Sequence, residues 1–105
     1  MSKKKQQQKH FKSRALQRYD VDITPELSNL WMSYIQDNIS VCLDRQSDRV
    51  SVHLIKHNEE FIPIVYDKYR KQIVTCLPQT YLNGFDSKIA EYIKKENKRN
   101  KVDED

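Results

Sequence analysis

Phe61–Pro78, FIPIVYDKYRKQIVTCLP, is the stretch whose reading decides the fold. It consists of two apolar runs, 61–66 and 72–77, joined by the polar link Asp67-Lys68-Tyr69-Arg70-Lys71. Runs of about six residues rich in Ile, Val, Phe and Thr, bounded by polar residues or proline, are strand signals. A link this short predicts an antiparallel hairpin. Upstream, Val50–His57 alternates, with Val50, Val52 and Leu54 on one face and Ser51, His53, Ile55 and His57 on the other. That pattern predicts a half-buried antiparallel strand. Ile39–Leu43 reads as a further strand before the charged turn Asp44–Asp48, and Asn58-Glu59-Glu60 as the turn into the hairpin. Residues 39–78 therefore predict a four-stranded meander, one face of which the rest of the chain must cover. Pro63, lacking an N–H, predicts an edge, a bulge or a strand start near it.

Helical spacing dominates on either side of this segment. From about His10, the residues Phe11, Ala15, Leu16 and Tyr19 fall on one broad apolar face. Thr24-Pro25-Glu26 is a helix start. Thr24 can cap an orphan N–H, Pro25 needs none at the first position, and Glu26 suits the positive end of the dipole. Leu27, Leu30, Trp31, Tyr34 and Ile35 then form one stripe, predicting a helix over 25–38 with Trp31 in the core. Asn83-Gly84 reads as a turn, and Asp86 or Ser87 as the cap of a last helix carrying Ile89, Ala90, Tyr92 and Ile93. The predicted fold class is α+β: two N-terminal helices packed on a roughly four-stranded antiparallel sheet, with a C-terminal helix. One domain over 10–93 is expected, between a basic segment 1–9 without structure and a charged tail 94–105.

With 105 residues, 37% hydrophobic and 32% charged, the chain can bury one modest core. No segment approaches the apolar length of a membrane span, and no apolar run follows the basic N-terminus as in a secretory signal. Cys42 and Cys76 are too few and too far apart for a disulfide framework. They point to a reduced, cytoplasmic setting with both thiols buried. The net charge of +4 is unevenly spread, because residues 1–18 carry Lys3, Lys4, Lys5, Lys9, Lys12, Arg14 and Arg18 and no acid. One basic end on a nearly neutral body is the pattern of a nucleic-acid contact region, or of a solubilising tail.

No Gly-rich phosphate loop, HExxH, DxD cluster or nucleophile elbow is present. His53 and His57 stand roughly 13 Å apart along one strand, too far to share a metal. No metal or other cofactor is expected. Two features remain: His10-x3-Arg14-x3-Arg18 on the opening helix, followed by Asp22-Ile23-Thr24, and the closing IVYDKYRKQIVTCLP with Thr75 in its last strand. The three helical residues step by i+4, which sets them in a stripe beside the apolar face.

By these residues the chain resembles a group of small bacterial and phage proteins of unassigned function. Their pattern is an opening H-x3-R-x3-R helix, a second helix, and a meander closing on an I-V-T strand. Through that pattern it is similar to the barnase–EndoU–colicin–RelE class of ribonuclease folds. The resemblance spans about residues 10–78, and it departs in having Tyr19-Asp20 where a glycine would follow Arg18. It implies metal-independent RNA cleavage, in which the ribose 2′-OH attacks the adjacent phosphate. His10 would exchange the proton, Arg14 and Arg18 would steady the developing charge, and Thr75 would position a phosphate oxygen. Lys9, Lys12, Tyr66, Tyr69 and Arg70 are the candidate RNA contacts. Three function classes follow: an endoribonuclease of toxin or phage host-takeover type, a non-catalytic RNA or DNA binder, and an inhibitor that binds a host or defence protein.

Overall fold

A computed structural model describes residues 3–101 of the chain. Helix α1 (Lys3–Tyr19) and helix α2 (Pro25–Gln36) precede strands β1 (Val41–Arg45), β2 (Val50–His57), β3 (Glu60–Asp67) and β4 (Gln72–Cys76). A single 3-10 turn, Gln79–Leu82, leads into helix α3 (Asp86–Lys101). The strands form one antiparallel sheet in the order β1-β2-β3-β4. The α+β layout is thus the one that the periodicities predict.

The sheet differs from expectation in having both faces covered. Ile55, Ile62, Ile64 and Ile73 turn to one side and meet Phe11, Ala15 and Tyr19 of α1 and Trp31 of α2. Val41, Leu43, Val52, Leu54 and Val65 turn to the other and meet Leu82 and Tyr92. The reason lies in β3, whose successive residues Ile62 to Asp67 are all buried. A strand apolar on alternate positions needs one cover, whereas this one needs two. Tyr92 supplies the second from α3, its ring set edge-on to Phe61 at 5.6 Å.

Both terminal helices are longer than the hydrophobic pattern predicts. Helix α1 begins at Lys3, so 3–9, expected to lack structure, are helical. Lys and Gln are good helix formers, nothing in KKKQQQK breaks a helix, and the Gln72 side-chain amide donates to Gln7. Helix α3 runs past Lys94 because its polar residues tie to the sheet. Lys56 pairs with Glu96 at 3.1 Å, and Lys95 Nζ donates to the Ser40 carbonyl at 3.1 Å. Asp86 lies in the first turn of α3, and Lys88 and Ile89 donate back to the Phe85 carbonyl, so neither Asp86 nor Ser87 is the cap. Met1, Ser2 and residues 102–105 of the expected end segments lie outside the described residues.

Smaller departures are local. Leu16 and Ile93, placed on apolar faces by spacing, are exposed, and so is Cys42, while Cys76 is buried. Helix α2 starts as predicted, with Thr24 Oγ1 accepting from Leu27 N at 3.1 Å and Pro25 in the first turn. Trp31 is 1% exposed, between Phe11 and His57. The β2–β3 turn has only two residues between the paired His57 and Glu60. These are Asn58 and Glu59, both left-handed with φ of 50° and 66°.

Two outcomes follow. Trp31→Ala should cost about 3–5 kcal/mol in chemical denaturation. Glu59→Gly should stabilise the domain by about 1 kcal/mol, because glycine fits the second position of this turn and the exposed Glu59–Lys56 pair contributes little. A lower denaturation midpoint for Glu59→Gly would contradict the turn assignment.

Candidate nucleic-acid interface

Helix α1 meets the sheet along β4, an edge strand. Phe11, Ala15 and Tyr19 step by i+4 and are buried, so they define the packed face. His10, Arg14 and Arg18 each precede one of them and therefore sit about 100° round the helix, along its flank.

Backbone pairing explains how this flank is held. Leu77 N donates to Pro63 O at 2.8 Å, as in a hydrogen-bonded antiparallel pair. The second bond of such a pair would run from residue 63 to the Leu77 carbonyl, and proline has no N–H to make it. The Tyr19 hydroxyl donates to Leu77 O instead, at 2.5 Å. Pro63 thus lies inside strand β3, not at a strand start, but where the β3–β4 ladder runs out. Its missing donor is replaced from α1. Burial holds the Tyr19 hydroxyl well above its usual pKa, so it stays protonated as a donor.

By strand alternation the neighbouring Cys76 carbonyl points away from β3, toward the open edge. Arg18 Nη1 donates to it at 2.7 Å, and Thr75 Oγ1 donates to the same oxygen at 3.3 Å. Sharing one acceptor holds the Arg18 guanidinium beside the Thr75 hydroxyl. The Cys76 thiol below is pushed up to about 11 by burial, against the pull of Arg18 and Arg14, so it stays protonated and inert. Arg14 makes no bond to the sheet and donates to Gln17 on its own helix at 3.0 Å.

His10 is further along. With Gln6, Gln7, Arg70 and Val74 it lines a shallow pocket of about 290 Å³ at the far end of β4. Its Cα lies about 12 Å from that of Arg18 along the helix axis. The structure therefore joins Arg18 with Thr75 and His10 with Arg70, while Arg14 lies between the two pairs. Their arrangement is a row suited to successive phosphates, rather than a cluster around one.

The remaining predicted contacts divide. Lys9 and Lys12 are exposed, and Lys12 lines a cleft of about 440 Å³ between α1, α2 and the start of β4, opposite Lys71. Tyr69 is 69% exposed at the β3–β4 tip. Tyr66 is buried with its ring against His53, so it offers RNA no stacking surface. Both tyrosines lie near the hairpin tip, but strand parity sends Tyr66 into the core.

Composition gave no hint of the Asp67 junction. The Asp67 carboxylate, 2% exposed, accepts Arg49 Nε and Nη2 at 2.9–3.1 Å and the Tyr69 and Arg70 backbone N–H groups at 3.0 and 3.1 Å. It fixes the hairpin tip that presents Tyr69 and Arg70, and ties it to the β1–β2 turn. An aspartate closing an apolar strand just before a loop is an Asx-turn signal that could have revealed it. Among the described residues, no group of three or more His, Cys, Asp or Glu is placed to hold a metal. The chain matches no protein-family model, no curated protein and no solved structure.

The Arg49 hydrogen bonds outweigh burial and lower the Asp67 pKa to about 2. A depressed carboxylate stabilises the fold above its unfolded pKa, near 4, and loses that contribution as pH falls through the folded value. Asp67→Asn should therefore cost roughly 2 kcal/mol at pH 7, and the gap to the unmutated protein should narrow between pH 4 and pH 2. Urea denaturation of both proteins across that range checks it. A gap independent of pH would dissociate the ion pair from stability.

Proposed function

We propose that the protein binds nucleic acid, single-stranded RNA in particular, by laying the phosphate backbone along the exposed flank of α1. One observation carries the reading: α1 has seven Lys and Arg residues and no acidic one, and among the described residues its Lys9, Lys12 and Arg14 side chains make no ion pair or hydrogen bond to the sheet. Unopposed cations on one rigid element attract phosphates without selecting sequence. The row of His10, Arg14 and Arg18 rises about 6 Å per step, a spacing that can follow a strand. The exposed Tyr69 ring, near Arg70, supports a single-stranded ligand whose bases are free to stack.

A second reading, RNA cleavage, is favoured by the shared Cys76 carbonyl, which sets a guanidinium and a hydroxyl side by side at one end of the row. In that reading Arg18 holds the scissile phosphate, the Thr75 hydroxyl turns its one proton from the Cys76 carbonyl to a phosphate oxygen, and the nucleophile is the RNA's own 2′-OH.

The triple variant Lys9→Ala/Lys12→Ala/Arg14→Ala should weaken binding to unrelated RNAs alike. It should also flatten the slope of log K against log salt by about 2, at about 0.7 per lost phosphate contact, while melting within about 1 kcal/mol of the unmutated protein. An unchanged slope would make α1 a solubilising helix, and tight capture of one protein without RNA binding would move the function to the inhibitor class. Arg18→Ala should behave differently, because it also strips a donor from an edge carbonyl and should cost roughly 1–3 kcal/mol of stability. Incubation with RNA in EDTA decides between the readings. Products ending in 2′,3′-cyclic phosphate support cleavage, and intact RNA leaves a binder.

A further inference from the structure

Beyond the α1 flank, a second cationic site stands at the other side of the hairpin tip. Arg45, Arg49, Lys68, Ser51 and Tyr69 line a pocket of about 270 Å³, with Asp48 as its one lining carboxylate. Arg45 and Ser51 are cross-strand partners on one face of the β1–β2 ladder, so their side chains are neighbours. Neither the Arg45 nor the Lys68 side chain has an ion-pair or hydrogen-bond partner among the described residues. Arg49 spends Nε and Nη2 on Asp67, which leaves Nη1 for a ligand. Three cations against Asp48 and the buried Asp67 leave a positive excess of one.

The polar wall is ordered from behind. Ser51 Oγ lies 2.7 Å from His53 Nε2, and His53 Nδ1 lies 3.4 Å from Ser40 Oγ. Burial and the nearby Arg45 lower the His53 pKa, so the ring is neutral at neutral pH. With its proton on Nε2 the ring donates to Ser51, and the Ser51 hydroxyl proton then turns to the pocket. At the rim, the Arg49 guanidinium lies 5.7 Å from the Tyr69 ring centroid, which holds a ring that is otherwise largely exposed.

We propose that this pocket binds a phosphate monoester carried on a nucleoside, with the phosphate among Arg45, Lys68 and Arg49 and the base on Tyr69. A monoester presents three oxygens and more charge than a backbone diester, and three separate cationic donors converge here. The exposed aromatic ring beside them suits a planar base. Such a group occurs in a free nucleotide and at the phosphorylated end of a strand. No residue of α1 lines the pocket, so apart from the shared Tyr69 ring the inference stands or falls separately from backbone binding along α1.

The test uses the full chain and calorimetric or NMR titration with AMP, adenosine and inorganic phosphate, then with one short RNA bearing either a 5′-phosphate or a 5′-hydroxyl. AMP should bind at least about ten-fold more tightly than adenosine, and Arg45→Ala/Lys68→Ala should abolish that preference. Tyr69→Ala, at an exposed position, should weaken AMP while sparing inorganic phosphate. The α1 triple variant should keep AMP binding. A ten-fold preference for the 5′-phosphorylated RNA assigns the pocket to strand ends, and AMP binding without that preference assigns it to free nucleotides. Equal affinity for AMP and adenosine, or AMP binding untouched by Arg45→Ala/Lys68→Ala in a folded protein, would overturn the proposal.

Discussion

The two-sided burial of β3 is the constraint from which the architecture follows. A strand with Ile62 and Ile64 on one face and Val65 on the other cannot be left half-solvated, so the chain supplies a layer for each side. Helices α1 and α2 form one layer, and α3 with the short 3-10 turn forms the other. That demand keeps a polar, lysine-rich C-terminal helix on the sheet. Tyr92 is buried there, and Lys56 and Ser40 bind the polar residues that follow it. It also decides where charge can go, since with both faces occupied the cations are left to the outer sides of α1 and α3 and to the hairpin tip.

Much of the layout is legible in local sequence because its signals are local. Thr24-Pro25-Glu26 carries its own capping chemistry, and the alternation in Val50–His57 sets both strand and register. The covering of the second face was harder to see, since it depends on Tyr92 reaching Phe61 from another element. Helix ends are less legible, because polarity is not absence of structure. The segment KKKQQQK is polar but has high helical propensity, and its Gln7 accepts a hydrogen bond from Gln72.

The candidate site was readable in part. The i+4 spacing puts His10, Arg14 and Arg18 on one flank, as the structure bears out, but spacing alone cannot tell an arginine that is tied down from one that is free. That distinction comes from the Cys76 carbonyl, whose direction is set by β-ladder parity. Parity likewise separates buried Tyr66 from exposed Tyr69. The pocket of Arg45, Arg49 and Lys68 escaped sequence reading because its parts come from two turns that only Asp67 brings together.

The sheet is built from hairpins in chain order, so β1 to β4 can assemble by zipping neighbours together. The docking of α1 on β4 is different in kind: Tyr19 and Arg18 reach residues 58 positions away. Loop-closure entropy therefore weighs on this contact, as it does on the ties of α3 to Ser40 and Lys56, and it should form late in folding, after the meander exists to receive it. The same contact is a natural first place for the native state to open. In hydrogen exchange, the amides of α1 would then trade with solvent at a lower free energy than those of β2 and β3, as one cooperative unit. Each such opening would bare the outer carbonyls of β4 and make them a transient template for strand addition.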